Sequence, residues 1–344
     1  MPVSGSGLIS IIIPVFNVRP YLETALESVI RQTYSHLEII VIDDGSTDGS
    51  GVICDELARR DDRIKVVHQE NRGLSSARNA GLDMMSGDAV AFLDSDDSYH
   101  PDYIKAMAEA MERENADIVV CKYTVTDADK PAAHIRKEMT WPAGKAGMYK
   151  RNEALRALAD STINVSVWNK LYRRRLWEDV RFPDGHNYED MDIMFRVFDI
   201  CRSVLVLDQP LYYHLRRPGS ITNTVSEANL RDIRLARQHF EEYIRANTPA
   251  VFFFEQLKRA QQSTFSGMLV NYVRYSGKSA ELSSGFLDSM RAEIIAMGRD
   301  LGLGSMDLRR KTAYLMILKC PALLNAAYPV YHAVRMLIYE ATGR

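Results

Sequence analysis

Four short apolar runs, each closed by a polar cluster, set the pattern of the first hundred residues. Leu8 to Ile13 ends at Pro14-Val-Phe-Asn17, and Leu37 to Ile42 ends at Asp43-Asp-Gly-Ser46. Ile64 to Val67 precedes Asn71-Arg-Gly73, and Ala89 to Leu93 delivers Asp94, Asp96 and Asp97. Runs so short and so uniformly apolar suit strands covered on both faces. The stretches between them carry helical spacing instead. Leu22, Ala25, Leu26, Val29 and Ile30 share one face, Asp48 is placed to cap a helix running to Arg60, and a third helix closes near Gly87. A fourth starts near Pro101, with Asp97 or Ser98 as its expected cap. The alternation predicts an α/β chain, a mostly parallel Rossmann-like sheet with helices on both faces.

Further along, Asp117 to Cys121 reads as a fifth strand, and residues 126–147 are polar, with Trp141-Pro-Ala-Gly144 as a turn. A short helix is expected over residues 152–160. Val167 to Tyr172 opens a segment that leads to Tyr188-Glu-Asp190 and another helix, followed by two short strands, Val204 to Leu207 and Leu211 to His214. From Ser226 the pattern turns helical, through Leu230, Ile233, Leu235, Phe240 and Tyr243. The expected organisation is therefore a mixed α/β domain over 1–224, with halves of about 1–125 and 126–224, and an all-helical region over 225–344.

Composition narrows the function classes. A hydrophobic fraction of 46% and a charged fraction of 26% are those of a globular domain, and a net charge of −2 argues against a nucleic-acid partner. The four cysteines are too far apart in sequence for a metal or redox pair and read as buried apolar residues. The first residues lack the basic start of an export signal, and prolines and charges interrupt the apolar stretch from Ala313 to Tyr339, so a cytoplasmic protein is expected. That stretch follows Arg309, Arg310 and Lys311, and residues 301–344 hold six Lys/Arg against two acids. Two readings remain for it: helices packed on the α/β domain, or a surface lying on an anionic membrane leaflet.

In doubly wound sheets ligands bind beyond the carboxyl ends of the strands, where Asn17, Asp43, Asp44, Asp94 and Asp96 all fall. Three acids within four positions repel one another unless a cation or a substrate donor sits among them. Mg²⁺ or Mn²⁺ on a diphosphate needs only one or two of them. The rival explanation is a set of polar turns, with Gly45 supplying positive φ. A turn needs only one such acid, and these come in pairs.

Five segments in this order, Ile13-Pro-Val-Phe-Asn17, Asp43-Asp-Gly-Ser-Thr-Asp48, Asn71 to Gly81, Phe92-Leu-Asp-Ser-Asp-Asp97 and Tyr188-Glu-Asp190, resemble the family 2 glycosyltransferases, an inverting group with the GT-A fold. The likeness implies an enzyme that moves a sugar from a UDP-sugar to a hydroxyl of a glycan, or of a polyprenyl-diphosphate-linked glycan, in bacterial cell-surface polysaccharide synthesis. It implies that Asp43 reads the nucleobase. A carboxylate accepts the ring N3–H of uracil, which neutral cytosine lacks, while GDP and dTDP stay open. Pro14, Phe16, Asn17, Arg72, Gly73, Arg78, Asp94, Ser95, Arg217 and Ser220 are implied to line the nucleotide and its phosphates. Asp96, with Asp94, is implied to ligate Mn²⁺ or Mg²⁺, and His214 to be either a third ligand or a packed residue. Asp190 is implied to be the general base, with Glu189 orienting it or binding an acceptor hydroxyl. Both also suit a helix N-terminus, whose dipole would keep Asp190 ionised. Trp168, Asn169 and Lys170 are implied on the acceptor side. Two alternatives are an inactive sugar-nucleotide binder and a sugar nucleotidyltransferase. The second usually wants a Gly-rich basic loop where Pro14-Val-Phe-Asn17 stands.

Overall fold

The computed structural model describes residues 7–127, 145–159, 162–185, 187–217, 227–247, 285–306 and 308–319, with Phe265, Met268, Leu269 and Tyr272. The Trp141 turn, Ser220 and the apolar stretch beyond Lys319 lie outside the described residues. The chain divides into two compact units, residues 1–220 and 221–344.

In the first unit the four apolar runs become β1 (Ile9–Val15), β2 (Leu37–Asp43), β3 (Ile64–His68) and β4 (Ala89–Phe92). All pair in parallel, in the order β3-β2-β1-β4. Every residue of β1, β2 and β4 is buried, as two-sided coverage requires. The crossovers are α1 (Arg19–Ile30), α2 (Ser50–Ala58) and α3 (Leu74–Met84). Asp48 serves α2 from the position before its N-cap, Gly49. Its carboxylate accepts Ser50 N–H at 2.9 Å and Arg19 N–H at 2.9 Å, joining the beginnings of two helices.

Beyond β4 the sheet becomes mixed. β5 (Ser98–Tyr99), α4 (Tyr103–Arg113) and β6 (Ile118–Asp127) are followed by β7 (Gly147–Lys150), α5 (Arg151–Ala159), β8 (Lys170–Arg173), α6 (Glu189–Ile200) and β9 (Ser203–Arg216). β8 runs antiparallel between β4 and β6, while β9 runs parallel to β6 and antiparallel to β5 and β7. The two short strands expected at 204–207 and 211–214 are one strand. The ladder absorbs the exposed Asp208-Gln209 and Pro210 by register shifts opposite Lys122.

Two buried polar residues in the parallel half explain each other. Ser10 on β1 donates to Glu38 on β2, and Glu38 also accepts Ser86 N–H, Ser86 O–H, Gly87 N–H and Lys65 Nζ. A side chain on Gly87 would meet Leu8 O at 2.7 Å, so only glycine lets this turn approach the sheet. Burial alone would raise the Glu38 pKa, but the bonds from Ser10, Ser86 and Lys65 outweigh it and bring it to about 2. That stabilisation is complete above the unfolded carboxyl range and is lost as pH falls towards 2. Glu38→Gln is expected to cost about 2 kcal/mol at neutral pH, the scale of hydrogen bonds to a charged group. The difference from wild type should shrink in urea melts at pH 3, and an equal difference at both pH values would refute the account.

In the second unit, helices Glu227–Asn247, Phe286–Leu301 and Leu308–Lys319 are described. A core of Phe265, Met268, Leu269, Tyr272, Met290, Ile294, Tyr314 and Ile317 holds it. Gly298 allows Tyr314 to pack against the helix backbone. Arg291 donates to the carbonyls of Ile317 and Leu318, placing a cation at the end of the last described helix.

Candidate active site

The carboxyl ends of β1, β2 and β4 carry the polar clusters in the structure as in the sequence. β2 ends on Asp43, and Asp44 N–H donates to Val15 O at 2.8 Å. Asp43 is buried. Its Oδ1 accepts Ser46 N–H at 3.0 Å, and its Oδ2 lies 2.7 Å from His68 Nδ1 at the end of β3. His68 Nε2 reaches Asp55 Oδ1 at 3.1 Å, and the bonds to Asp43 and Asp55 raise the imidazole pKa. Asp44 turns away from Asp43 and staples the next loop, accepting Arg72 N–H, Gly73 N–H and Gln69 Nε2 at 2.6–2.9 Å. Gly45 sits at φ +76°, where a side chain would press on Asn71 N, so the turn expected at this glycine is formed. Asn17, at φ 50°, accepts Thr47 N–H, and Phe16 beside it is 45% exposed.

The α3 segment departs from expectation. Arg72 is exposed and Gly73 begins the helix at positive φ, but Arg78 is 2% exposed. Its Nη2 donates to Asp94 Oδ1 at 2.8 Å and its Nη1 to Glu189 Oε1, with the Phe182 ring 5.3 Å from the guanidinium. Both arms of the fork are taken by carboxylates, not left open towards a phosphate. Ser75 Oγ, in the first turn of α3, is buried without a partner.

The three acids after β4 have separate fates. Asp94 pairs with Arg78, and Asp96 Oδ2 accepts Arg217 Nε at 2.6 Å, with the Arg217 guanidinium 5.3 Å from the Tyr21 ring. Ser95 between them is buried. Asp97 does not cap the following helix. It is 3% exposed and accepts Tyr212 O–H at 2.7 Å, Leu215 N–H at 2.7 Å and His214 Nδ1 at 3.1 Å, all from β9. Burial pushes its carboxyl up to about 6, with His214 pulling the other way. Asp102 occupies the cap position of α4, and Ser98 belongs to β5. His214 is packed, its ring stacked on Trp168 at 5.4 Å and 3°. Burial alone would lower its pKa, but the Asp97 bond outweighs burial and raises it.

Among the described residues no three His, Cys, Asp or Glu side chains converge closely enough to hold a metal by themselves. Within the same residues Asp94 Oδ2 and Asp96 Oδ1 remain unclaimed. Two carboxylate oxygens two residues apart in one loop fit a hard cation that completes its shell with phosphate and water.

Glu189 and Asp190 open α6, after Tyr188 at φ 64°, an uncommon conformation for a bulky residue. Glu189 is buried on Arg78, while Asp190 is half-buried, its Oδ1 accepting Met191 N–H at 2.7 Å. The helix dipole does not win here. Burial, then the Glu189 charge, push Asp190 up to about 7 against the pull of Arg78. A carboxyl poised there is suited to proton abstraction near neutral pH.

Trp168, Asn169 and Lys170 lack the exposure an acceptor contact needs. Trp168 stacks between Tyr212 and His214. Asn169 bonds Cys121 O, and Lys170 is fully buried with Nζ on Asn164, Ser166 and Asn169 oxygens. Burial takes Lys170 down to about 7, opposed by Asp190. From sequence Asp97 reads as one of three clustered acids or a helix cap, not as the anchor of β9. His68 is not among the sequence candidates, and a histidine closing a strand beside Asp43 is the available signal for it.

The model of a family described as Glycosyl transferase family 2 matches residues 10–181. GlyA of Streptococcus pneumoniae, a glycosyltransferase, is 37% identical over 227 residues, 64% of this chain and 32% of GlyA. EpsJ of Bacillus subtilis, an uncharacterized glycosyltransferase, is 35% identical over 62% of this chain and 63% of its own length. The chain thus spans about a third of one relative and under two thirds of the other. Among solved structures, S. aureus TarS 1–349 in complex with UDP superposes with a TM-score of 0.66 at 19% identity, over 93% of this chain and 91% of that one. The same fragment with UDP-GlcNAc gives 0.63 at 20% identity over the same shares. The mannosyltransferase PcManGT of Pyrobaculum calidifontis, with GDP-Man and Mn²⁺, gives 0.56 at 19% identity over 96% and 87%. Likeness at such identity speaks for the fold, a GT-A-like mixed sheet with helices. The matched residues 10–181 are half of the 344-residue chain and include the clusters after β1, β2 and β4: the chain belongs to glycosyl transferase family 2.

Proposed function

We propose that the protein is an inverting glycosyltransferase that moves a sugar from a UDP-sugar to a hydroxyl of a glycan or lipid-linked glycan in bacterial polysaccharide synthesis. The observation that carries this is the meeting of the Asp43 cluster, the Asp94/Asp96 loop and, through Arg78, the Glu189–Asp190 pair at one end of the sheet. TarS complexes with UDP and with UDP-GlcNAc, on the same fold, support a uridine donor.

Asp43 offers carboxylate oxygen to a uracil N3–H, and exposed Phe16 offers a face on which the base can stack. Asn17 and Gly73 keep the two loops around the nucleotide in place, and Arg72 stands exposed beside them. Arg217, bonded to Asp96, is assigned to the phosphates. Asp94 and Asp96 would hold Mn²⁺ or Mg²⁺, and such a cation would supply counter-charge for the diphosphate. Asp190 takes the acceptor hydroxyl proton as that oxygen bonds to the anomeric carbon and the bond to UDP breaks with its electron pair on UDP. Attack from the face opposite UDP inverts the anomeric centre. Arg309, Arg310 and Lys311 flank the start of the last described helix, and no described helix is long and apolar enough to cross a membrane. We assign that basic end to contact with an anionic leaflet carrying a lipid-linked acceptor.

The test needs no acceptor. Hydrolysis of UDP-, GDP-, dTDP- and CDP-sugars is measured with Mn²⁺ and with EDTA, beside thermal shifts with the free nucleotides. A UDP-sugar should turn over in Mn²⁺ only, and UDP should stabilise the protein more than CDP does. Asp43→Ala should erase that preference, at a cost of about 1–3 kcal/mol for the unpaired ring N–H. CDP stabilising wild type as well as UDP does would remove Asp43 from base recognition.

A further inference from the structure

Arg78 is the one strongly buried cation that spans three elements of the site among the described residues. It projects from α3, and its fork joins Asp94 of the loop after β4 to Glu189 at the start of α6. Nε has no partner and is sealed from water. A guanidinium serving a diphosphate needs its paired donors free for phosphate oxygens. Here each terminal nitrogen already meets a carboxylate and the side chain is buried. We propose that Arg78 is a positioning residue, fixing the Glu189 carboxylate beside Asp190 and tying that pair to Asp94, so that the base and the donor-side acid form one assembly. The inference rests on the proposed base role of Asp190.

The surroundings of Asp190 explain what the assembly does. Glu189 is its neighbour on α6, Arg78 faces it from α3, Asp94 from the loop after β4, and Lys170 and Tyr172 from β8. Three carboxyl groups share one guanidinium, and Lys170 is itself buried and held by neutral oxygens. Glu189 and Asp94 take the arms of Arg78, and Asp190 is left without one. It is therefore the member of the set on which a proton is most readily held and released. Arg78 selects which acid plays that part without touching the substrate.

The test reads Asp190 directly in the full-length protein, without donor or acceptor. Aspartate carboxyl carbons are labelled with carbon-13 and titrated by NMR, the Asp190 signal being assigned from its loss in Asp190→Asn. Wild type should titrate near 7. Glu189→Gln, which removes a like charge, should move the midpoint down by about one unit or more. Arg78→Met should move it up, and Arg78→Lys should return it part of the way. UDP affinity by calorimetry should stay within about two-fold across the three variants. An unmoved midpoint in Glu189→Gln overturns the inference, as does Arg78→Met weakening UDP ten-fold or more, which would put the guanidinium on the phosphates. Should Arg78→Met fail to fold, Glu189→Gln and Arg78→Lys decide. The base role fails separately: transfer undiminished in Asp190→Asn would sink it even if every midpoint moved as expected.

Discussion

Asp190→Asn is expected to lower sugar transfer by about 10²–10⁴-fold while leaving the fold and UDP affinity intact. The amide matches the carboxyl in size and keeps an oxygen for the Met191 N–H. What it loses is the ability to accept a proton from the acceptor hydroxyl. That interaction belongs to the transition state, so the donor KM should hardly change while kcat falls. Asp94→Asn should behave differently, losing donor affinity along with rate, because the amide removes a carboxylate charge from the proposed cation site on the donor side. The wild-type rate should fall on the acid side with a midpoint near 7, because a carboxyl raised to about 7 becomes protonated below that pH. That acid limb should vanish from the residual activity of Asp190→Asn. A variant that transfers at near wild-type rate would reduce Asp190 to a helix-terminal acid.

The parallel half of the sheet was legible because burial on both faces leaves no freedom in the sequence. β1, β2 and β4 are buried throughout, and their polar stops carry the candidate site. The other half was harder for particular reasons. Asp208, Gln209 and Pro210 look like a break between two strands, yet β6 shifts register and carries β9 through them. Asp97 precedes a proline and a helix, which is the local signature of a cap. Its partners Tyr212, His214 and Leu215 lie more than a hundred residues away, beyond the reach of any local pattern. Lys170 and Arg78 invert the usual rule that such side chains stay solvated. Their burial follows from oxygens supplied by other elements, and helical or strand periodicity does not announce it. The identities of the acids were therefore readable, whereas their pairings needed the fold.

Asp96→Asn is expected to abolish transfer as thoroughly as the loss of the base, but through donor binding. Asp96 gives one oxygen to Arg217 and leaves Oδ1 unclaimed among the described residues. An asparagine can still accept Arg217 Nε, so the local structure should survive. It cannot supply the negative charge that a hard cation requires of its ligands. Wild type should therefore bind UDP more tightly in Mn²⁺ than in EDTA, by about ten-fold or more, which is about 1.4 kcal/mol. In Asp96→Asn the Mn²⁺ value should fall to the EDTA value, and the EDTA value itself should stay near that of wild type. Calorimetry in the two buffers measures all four affinities without any turnover. The variant also separates Asp96 from its neighbour. Asp97→Asn should leave the Mn²⁺ increment in place and instead lower thermal stability, since it strikes the bonds that hold β9 over the loop. Equal UDP affinity in Mn²⁺ and EDTA for wild type would leave Asp96 as nothing more than the partner of Arg217.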